Sequence, residues 1–345
     1  MNHSQHHPVR RRVTMEDVGR MAGVSQVTVS RALSDPSKVS VATLDRINAA
    51  IEATGFVPNA AAGALASRRS RLVSALVPSI TNIVYSSFVR AFSERIKTDG
   101  YQILLSETGF DPKDEEAAVL AHLSRQPDAI LLTGVHHSRE TRRLLLASGT
   151  PVVEVWDIND TPIDTCVGFD HAAAARTVSH FAIANGYRTA ATITAGDSRA
   201  RHRQASFAEQ FEAAGGLPVI DIDIGGPASI AAGRAALSQI LEAPSIVGHT
   251  PFVFCSSDLL AHGALIEAAK RGIAVPRDLG VMGFGDQEFA AVLEPPLTSL
   301  RVDRDDLGHR AAIALLDRIE GRSVAEVTRI DFKIVSRGTV LITRD

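Results

Sequence analysis

Residues 13–33 read VTMEDVGRMAGVSQVTVSRAL, and this stretch decides how the N-terminal part of the chain folds. Thr14 is placed to cap a first helix, with the Asp17 side chain reaching back to it, and Ser25 is placed to cap a second helix. The segment Ala22-Gly23-Val24 interrupts the helical pattern between them. The pattern therefore predicts two short helices joined by a tight turn, a helix-turn-helix.

Apolar residues at helical spacing predict a small core shared by these helices. A third helix is expected from Val41 to Thr54, capped by Ser40 and stopped by Gly55. The residues expected to face inward are Met15, Val18, Met21, Val24, Val29, Leu33, Leu44, Ile47 and Ile51.

Small polar groups and an arginine remain on the outer face of the second helix, near its start. Glutamine and arginine there can reach base edges and phosphates in a DNA major groove. An ordinary three-helix bundle with a polar face gives a similar pattern, so the spacing alone leaves both interpretations open. The outward residues are Gln26, Val27, Thr28, Ser30 and Arg31.

The sequence after the third helix makes the pattern more specific. Val39-Ser40, then Gly55-Phe56-Val57-Pro58-Asn59 and the alanine-rich segment 60–67 follow the first 33 residues. Together they resemble the headpiece of the lactose-repressor/galactose-repressor (LacI/GalR) family of transcription regulators, which reads V-T-x-x-D-V-A-x-x-A-G-V-S-x-x-T-V-S-R, then V-S, G-Y-x-P-N and a short hinge helix. Gly19 and Phe56 stand where alanine and tyrosine are usual.

The resemblance implies that the headpiece reads operator DNA and that the hinge helix enters the minor groove, with Leu65 wedged between base steps. The residues it places at DNA are Thr14, Ser25, Gln26, Val27, Thr28, Ser30, Arg31, Asn59, Ala61, Leu65 and Ala66.

Length and charge support a basic module joined to a larger body. The 345 residues, 45% of them hydrophobic, exceed the usual size of one domain. The formal net charge of -3 hides an asymmetry, because residues 1–71 carry ten Lys or Arg against five Asp or Glu. This distribution suits phosphate contact at one end only.

No segment resembles a secretory signal or a membrane span, so a cytoplasmic protein without membrane contact is expected. His3, His6 and His7 are more typical of a flexible tail than of a metal site, and no metal or other cofactor is expected. Cys166 and Cys255 occur in apolar runs and are interpreted as buried small residues.

From Leu72 onward, apolar strands alternate with helices, which predicts parallel sheets. The predicted fold is α/β, with a helix-turn-helix headpiece and hinge helix followed by a two-lobed periplasmic-binding-protein-like body. The predicted boundaries are a flexible tail at 1–12, a DNA-binding domain at 13–58, a hinge helix and linker at 59–71, and an effector-binding and dimerisation domain at 72–345. Lobe 1 is expected at about 72–167 and 301–328, and lobe 2 at about 168–300 and 329–345.

A ligand is expected between the lobes, at the carboxyl ends of the strands, both from the resemblance and from the general rule for open parallel sheets. Arg203 lies in the segment RQASF, which resembles the family's R-x-x-G-F with Ser206 in place of the glycine. The resemblance implies that this arginine is the family's usual polar anchor for effectors; the alternative is a surface ion pair. Asn82 is expected to cap a helix, and Trp156 suits either a sugar ring or simple packing. The candidate effector residues are Ser79, Thr81, Tyr85, His136, Trp156, Asp170, Arg203, Asp258 and Asp286.

Within the family, the segments 77–92, 151–170 and 283–300 look most like regulators of gluconate utilisation. The resemblance thus implies a homodimeric repressor of operator DNA controlled by a sugar or sugar acid, gluconate or a relative. The alternatives are a family member responding to a neutral sugar or nucleoside and, more remotely, a sugar-binding transport protein. An enzyme is not expected, because no dinucleotide-binding glycine motif follows the first strand and no P-loop, nucleophile elbow or zinc spacing occurs.

Overall fold

The computed structural model describes residues 11–59, 63, 69–246 and 248–343. The chain divides after Arg71 into two compact units, residues 1–71 and 72–345. The predicted tail up to residue 10 and the predicted hinge positions Ala61, Leu65 and Ala66 lie outside the described residues.

The N-terminal unit contains the three predicted helices: α1, Met15–Ala22; α2, Gln26–Ser34; and α3, Val41–Thr54, with a 3-10 turn at Pro36–Lys38. The backbone N–H of Asp17 donates to Thr14 Oγ1 at 3.3 Å, and the Thr14 N–H donates to the Asp17 carboxylate at 3.0 Å. This capping box satisfies backbone donors that the first turn of a helix leaves free. Gly55 ends α3 in the left-handed conformation, with φ of 64°.

The core of this unit contains fewer of the large apolar side chains than the helical spacing predicts. Met21 and Leu33, both expected inside, are exposed to 58% and 37%. Ala22 and Ala32, their neighbours in the chain, are buried instead, because each lies on the face of its helix that also buries Val18 or Val29. The buried apolar residues are Val18, Ala22, Val29, Ala32, Ile47, Ala50 and Phe56.

The second unit contains two six-stranded sheets, in the order β11-β5-β4-β3-β1-β2 and β12-β10-β9-β8-β6-β7. The strands of the first sheet are β1 (Leu72–Val77), β2 (Gln102–Glu107), β3 (Ala129–Thr133), β4 (Val152–Val155), β5 (Thr165–Gly168) and β11 (Val327–Arg329). Those of the second are β6 (Ala190–Thr194), β7 (Ile220–Asp223), β8 (Phe252–Cys255), β9 (Gly280–Phe284), β10 (Thr298–Val302) and β12 (Phe332–Val335).

Helices connect the strands of each sheet. They are α4 (Ile83–Lys97), α5 (Pro112–Leu123), α6 (Arg139–Ser148), α7 (His171–Ala184), α8 (Ser198–Ala213), α9 (Ile230–Leu241), α10 (Asp258–Lys270) and α11 (Arg304–Ile319), with 3-10 turns at Pro244–Ile246 and Glu288–Ala291. Asn82 caps α4 as expected, accepting from the Val84 N–H at 3.0 Å. None of the helices in the described part of the chain is long and apolar enough to cross a bilayer.

The chain passes between the sheets after β5, after β10 and after β11. The first sheet is parallel throughout, whereas β12 runs antiparallel to β10 at the edge of the second. The C-terminal run from Ile330 therefore follows β11 of the first sheet and supplies β12 to the second. Both Cys166 and Cys255 are buried and free, as expected.

Candidate functional site

The exposed side of α2 is the candidate contact surface of the N-terminal unit. Gln26, Val27, Ser30 and Arg31 are exposed, and Val27 is exposed to 66% although it is apolar. Thr28 is half-buried, and its hydroxyl lies 2.9 Å from that of Ser25 in the helix cap. Thr14 is similarly engaged in its own capping box, while Asn59 is exposed.

In the second unit, Tyr85 and Arg199 connect the lobes. Tyr85 lies in α4, which follows β1 of the first sheet, and Arg199 lies in the first turn of α8 beside the second sheet. Arg199 Nη2 donates to the Tyr85 hydroxyl at 2.6 Å, and its guanidinium carbon lies 5.7 Å from the centre of the tyrosine ring. This contact spans the predicted cleft.

Trp156 follows β4 and is buried behind Tyr85, being exposed to only 5%. Its ring packs edge-on against Tyr85 at 5.9 Å and against Phe88 at 5.7 Å between centroids. Packing is therefore the observed role of this ring. Its indole Nε1 is nevertheless buried and finds no hydrogen-bond partner in the described part of the chain.

Arg203, in α8, is buried, with 6% of its surface exposed. Its Nη1 lies 2.9 Å from His171 Nδ1, its Nη2 donates to the Ser256 carbonyl at 3.3 Å, and its guanidinium stacks 3.9 Å from the centre of the Phe284 ring. No carboxylate forms an ion pair with it among the residues that the structure describes. A surface ion pair is therefore excluded as its role. Burial lowers the pKa of Arg203 to about 10, so the group stays charged at neutral pH.

His171 holds Arg203 in place and was missed by sequence reasoning. It opens α7 directly after the first crossover, and its Nε2 lies 3.0 Å from the Trp156 carbonyl oxygen. Burial and the adjacent charge of Arg203 hold the pKa of His171 well below its usual range. The neutral ring thus donates from Nε2 to the carbonyl and accepts from Arg203 at Nδ1.

Arg199 was also missed by sequence reasoning. Helix α8 begins at Ser198, where the Asp197 carboxylate accepts from the Ala200 N–H at 2.9 Å. The first turn of α8 directs Arg199 into the cleft.

A pocket open to solvent lies beside this cluster. It lies at the carboxyl ends of β1 and β3, and Arg199 belongs both to its lining and to the buried contact with Tyr85. The predicted His136 lines it and is exposed, whereas Ser79 and Thr81 bond to each other at 3.1 Å outside the lining. Its other polar lining residues include Thr108, Asp111, Glu115, Thr133, Asp197 and Ser198. Carboxylate and hydroxyl oxygens of this kind can bond the hydroxyl groups of a sugar or polyol.

A buried histidine fixes one wall of the pocket. His137 Nδ1 lies 2.9 Å from Glu115, and its Nε2 lies 3.4 Å from the fully buried Glu154. Burial alone would lower the pKa of His137, but the hydrogen bonds and charges of the two glutamates outweigh it and raise that pKa to about 9. The imidazolium ties helix α5 to strand β4.

The three predicted aspartates are engaged in structural contacts. Asp170 caps α7, accepting from the Ala173 N–H at 2.9 Å. Asp258 accepts from the Ser299 hydroxyl and the Gln287 N–H, both at 2.6 Å, and burial raises its pKa to about 6. Asp286 forms ion pairs with two arginines, Arg301 and Arg337. Of the predicted effector residues, the structure brings together Tyr85, Trp156 and Arg203, with His136 in the adjoining pocket.

Comparison with known proteins agrees with both units. Residues 14–59 match the model described as bacterial regulatory proteins, lacI family, and residues 178–340 match a periplasmic binding protein-like domain. The transcriptional regulator GntR of Escherichia coli K12 is 34% identical over 317 residues, which cover 91% of this chain and 94% of that protein.

Solved structures lead to the same family. A LacI-family transcriptional regulator from Silicibacter pomeroyi superposes with a TM-score of 0.88 at 31% identity, covering 95% of this chain and 99% of that one. The lac repressor dimer bound to operator and an anti-inducer gives a TM-score of 0.84 at 25% identity, covering 96% and 100%. These relatives are regulators and not enzymes. The chain belongs to the LacI family of DNA-binding transcription regulators.

Proposed function

We propose that this regulator is a repressor whose affinity for operator DNA is controlled by a sugar acid, gluconate or a close relative, bound between the two lobes. The observation that carries the proposal is Arg203, a buried cation without a carboxylate partner among the described residues. Burying a lone charge is costly unless a counter-charge arrives. A ligand carboxylate supplies that charge.

The surroundings of Arg203 support this assignment. The neutral His171 and the Phe284 ring orient the guanidinium without cancelling its charge. The adjacent pocket offers carboxylate and hydroxyl oxygens for the hydroxyl groups of the ligand. The similarity of the segments 77–92, 151–170 and 283–300 to regulators of gluconate utilisation, and the 34% identity to GntR, point in the same direction.

The alternative is a neutral sugar or nucleoside. Such a ligand would satisfy the polar lining of the pocket but would leave the charge of Arg203 uncompensated, and for this reason we favour the acid. The transport-protein alternative does not account for the helix-turn-helix, which matches the regulator family over residues 14–59.

For DNA, we propose that α2 enters the major groove, where Gln26, Val27 and Ser30 reach base edges and Arg31 contacts a phosphate. Thr14, Ser25 and Thr28 hold the helix starts and add phosphate contacts. Two copies of the chain would read the halves of a near-palindromic operator. The roles of Asn59, Ala61, Leu65 and Ala66 at the minor groove rest on the family resemblance alone.

Calorimetric titration of gluconate into wild type and Arg203→Ala tests the effector assignment. A charge-assisted pair there contributes about 1.5–3 kcal/mol, so the variant should bind about 10- to 150-fold more weakly. Arg203→Lys should recover only part, because an ammonium keeps the charge but cannot bond both His171 and Ser256 as the two terminal guanidinium nitrogens do.

The matched control is Arg201→Ala in the same helix, an exposed arginine paired with Asp223 at 2.8 Å, which should bind like wild type. Equal dissociation constants for wild type and Arg203→Ala would show that Arg203 does not contact the effector. If wild type does not bind gluconate, gluconate is not the effector.

A further inference from the structure

Arg199 has an unbonded terminal guanidinium nitrogen, whereas both terminal nitrogens of Arg203 are bonded. The Arg199 side chain is only 11% exposed and its Nη2 is bound to Tyr85, while its Nη1 is buried without a hydrogen-bond partner among the described residues. The nearest carboxylate, Asp197, lies 4.0 Å from Nε and caps the helix through the Ala200 N–H. A buried donor left unsatisfied is costly, and an incoming acceptor relieves that cost.

Arg203 is engaged differently. Both its Nη atoms already have partners in His171 and Ser256, and only Nε is left over. Arg203 is also absent from the lining of the open pocket, whereas Arg199 is part of it. The terminal guanidinium nitrogen that can meet a molecule in this pocket therefore belongs to Arg199.

We propose that Arg199 determines the specificity of the effector site for acids over neutral polyols. Its Nη1 donates to the ligand's carboxylate while its Nη2 keeps the Tyr85 hydroxyl, so one guanidinium joins ligand, lobe 1 and lobe 2. Arg203, behind Arg199, adds a second positive charge near the carboxylate of the ligand. This inference rests on the proposed function, since it assigns the same ligand a second contact.

The acidic side of the pocket gives the ligand a direction. Asp111 and Glu115 line the wall contributed by lobe 1, and Thr133 adds a hydroxyl. The Asp111 carboxylate and the Thr133 hydroxyl can bond hydroxyl groups of a ligand, whereas the Glu115 carboxylate already pairs with the imidazolium of His137. The ligand thus places its carboxylate at Arg199 and extends its hydroxylated chain toward Asp111.

The test compares two ligands of equal length that differ in the acid group, gluconate and glucitol. Their dissociation constants are measured by calorimetry for wild type, Arg199→Gln and the exposed control Arg201→Gln. We expect wild type and the control to prefer gluconate, and Arg199→Gln to lose about 10- to 150-fold of that preference. Its affinity for glucitol should stay within about threefold of wild type.

The ratio of the two constants separates specificity from structural damage, because a loosened cleft weakens both ligands alike. If Arg199→Gln does not fold, Arg199→Lys, which keeps the charge, replaces it in the experiment. This variant should retain only part of the preference for gluconate over glucitol. An unchanged ratio in either variant overturns the inference while the proposed function stands. Wild type that binds neither ligand overturns both. Wild type that binds glucitol as tightly as gluconate overturns the specificity for acids.

Discussion

The Nη1 atom of Arg203 lies 2.9 Å from Nδ1 of His171, and both side chains are buried. A cationic guanidinium can only donate, so the imidazole must accept and be neutral. The other imidazole nitrogen then donates to the carbonyl of Trp156, 3.0 Å away in lobe 1. The imidazole ring of His171 thus links the guanidinium of Arg203 in lobe 2 to the backbone of lobe 1 and holds its charge in place.

This relationship predicts how His171 variants bind gluconate. His171→Leu leaves Arg203 without its acceptor, so the guanidinium is no longer held in place and gluconate should bind more weakly. The free energy of unfolding should also fall by about 1–3 kcal/mol, the cost of a buried donor left unsatisfied. His171→Gln, which offers an amide oxygen, should lose less. Calorimetry on both variants measures this, with His180→Leu, an exposed histidine of the same helix, as control. Unaltered binding by His171→Leu would show that Arg203 needs no positioning.

His137 predicts a dependence of stability on alkaline pH. Its pKa is raised to about 9 in the folded chain, against 6.5 in the unfolded one. The folded state therefore holds this proton more tightly, and the stabilisation is fully present below about pH 6.5 and lost as the pH rises through 9. At most about 3 kcal/mol is involved.

Urea unfolding at pH 6.5 and pH 10 measures this effect, comparing wild type with His137→Gln. The free energy of unfolding should fall with pH more steeply in wild type than in His137→Gln. His136→Gln, which changes the exposed neighbour, should follow wild type. If the free energy of unfolding changes with pH equally in wild type and His137→Gln, the proton that stabilises the folded state is not on His137.

The exposed face of α2 predicts the response of DNA binding to salt. If Arg31 contacts a phosphate, Arg31→Ala should weaken binding to operator and unrelated DNA alike and reduce the slope of log affinity against log salt by about 0.9. Fluorescence anisotropy with a labelled duplex at several salt concentrations measures the slope. Glu52→Ala, an exposed residue of α3, is the control. A Gln26, Thr28 and Arg31 triple-alanine variant with full operator affinity would refute α2 as the recognition helix.

Local features of the fold were predictable from sequence. The caps at Thr14, Ser25, Ser40 and Asn82 are confirmed, because each depends on a side chain and the backbone only two or three residues away. Strands such as Leu72–Val77 were likewise evident, because a strand buried on both faces is apolar throughout.

Features that depend on distant segments were not predictable. Met21 lies outside while its neighbour Ala22 is buried, and this depends on which face of α1 packs against the other helices, which periodicity alone does not decide. Arg199 meets Tyr85 across 114 positions of sequence, and Arg203 meets His171 across 32. The sequence pattern placed Arg203 in the cleft but could not show which of its nitrogens were already bonded.

In the proposed regulation, a sugar acid bound in the second unit controls DNA binding by the first. The most direct measurement is operator affinity by anisotropy, with and without saturating gluconate, on a near-palindromic duplex selected by the protein from random sequences. Coupling of about 1–3 kcal/mol predicts that gluconate weakens wild-type binding about 5- to 150-fold, while Arg203→Ala binds the duplex normally and responds far less. Wild-type affinity that stays the same at saturating gluconate would contradict the account.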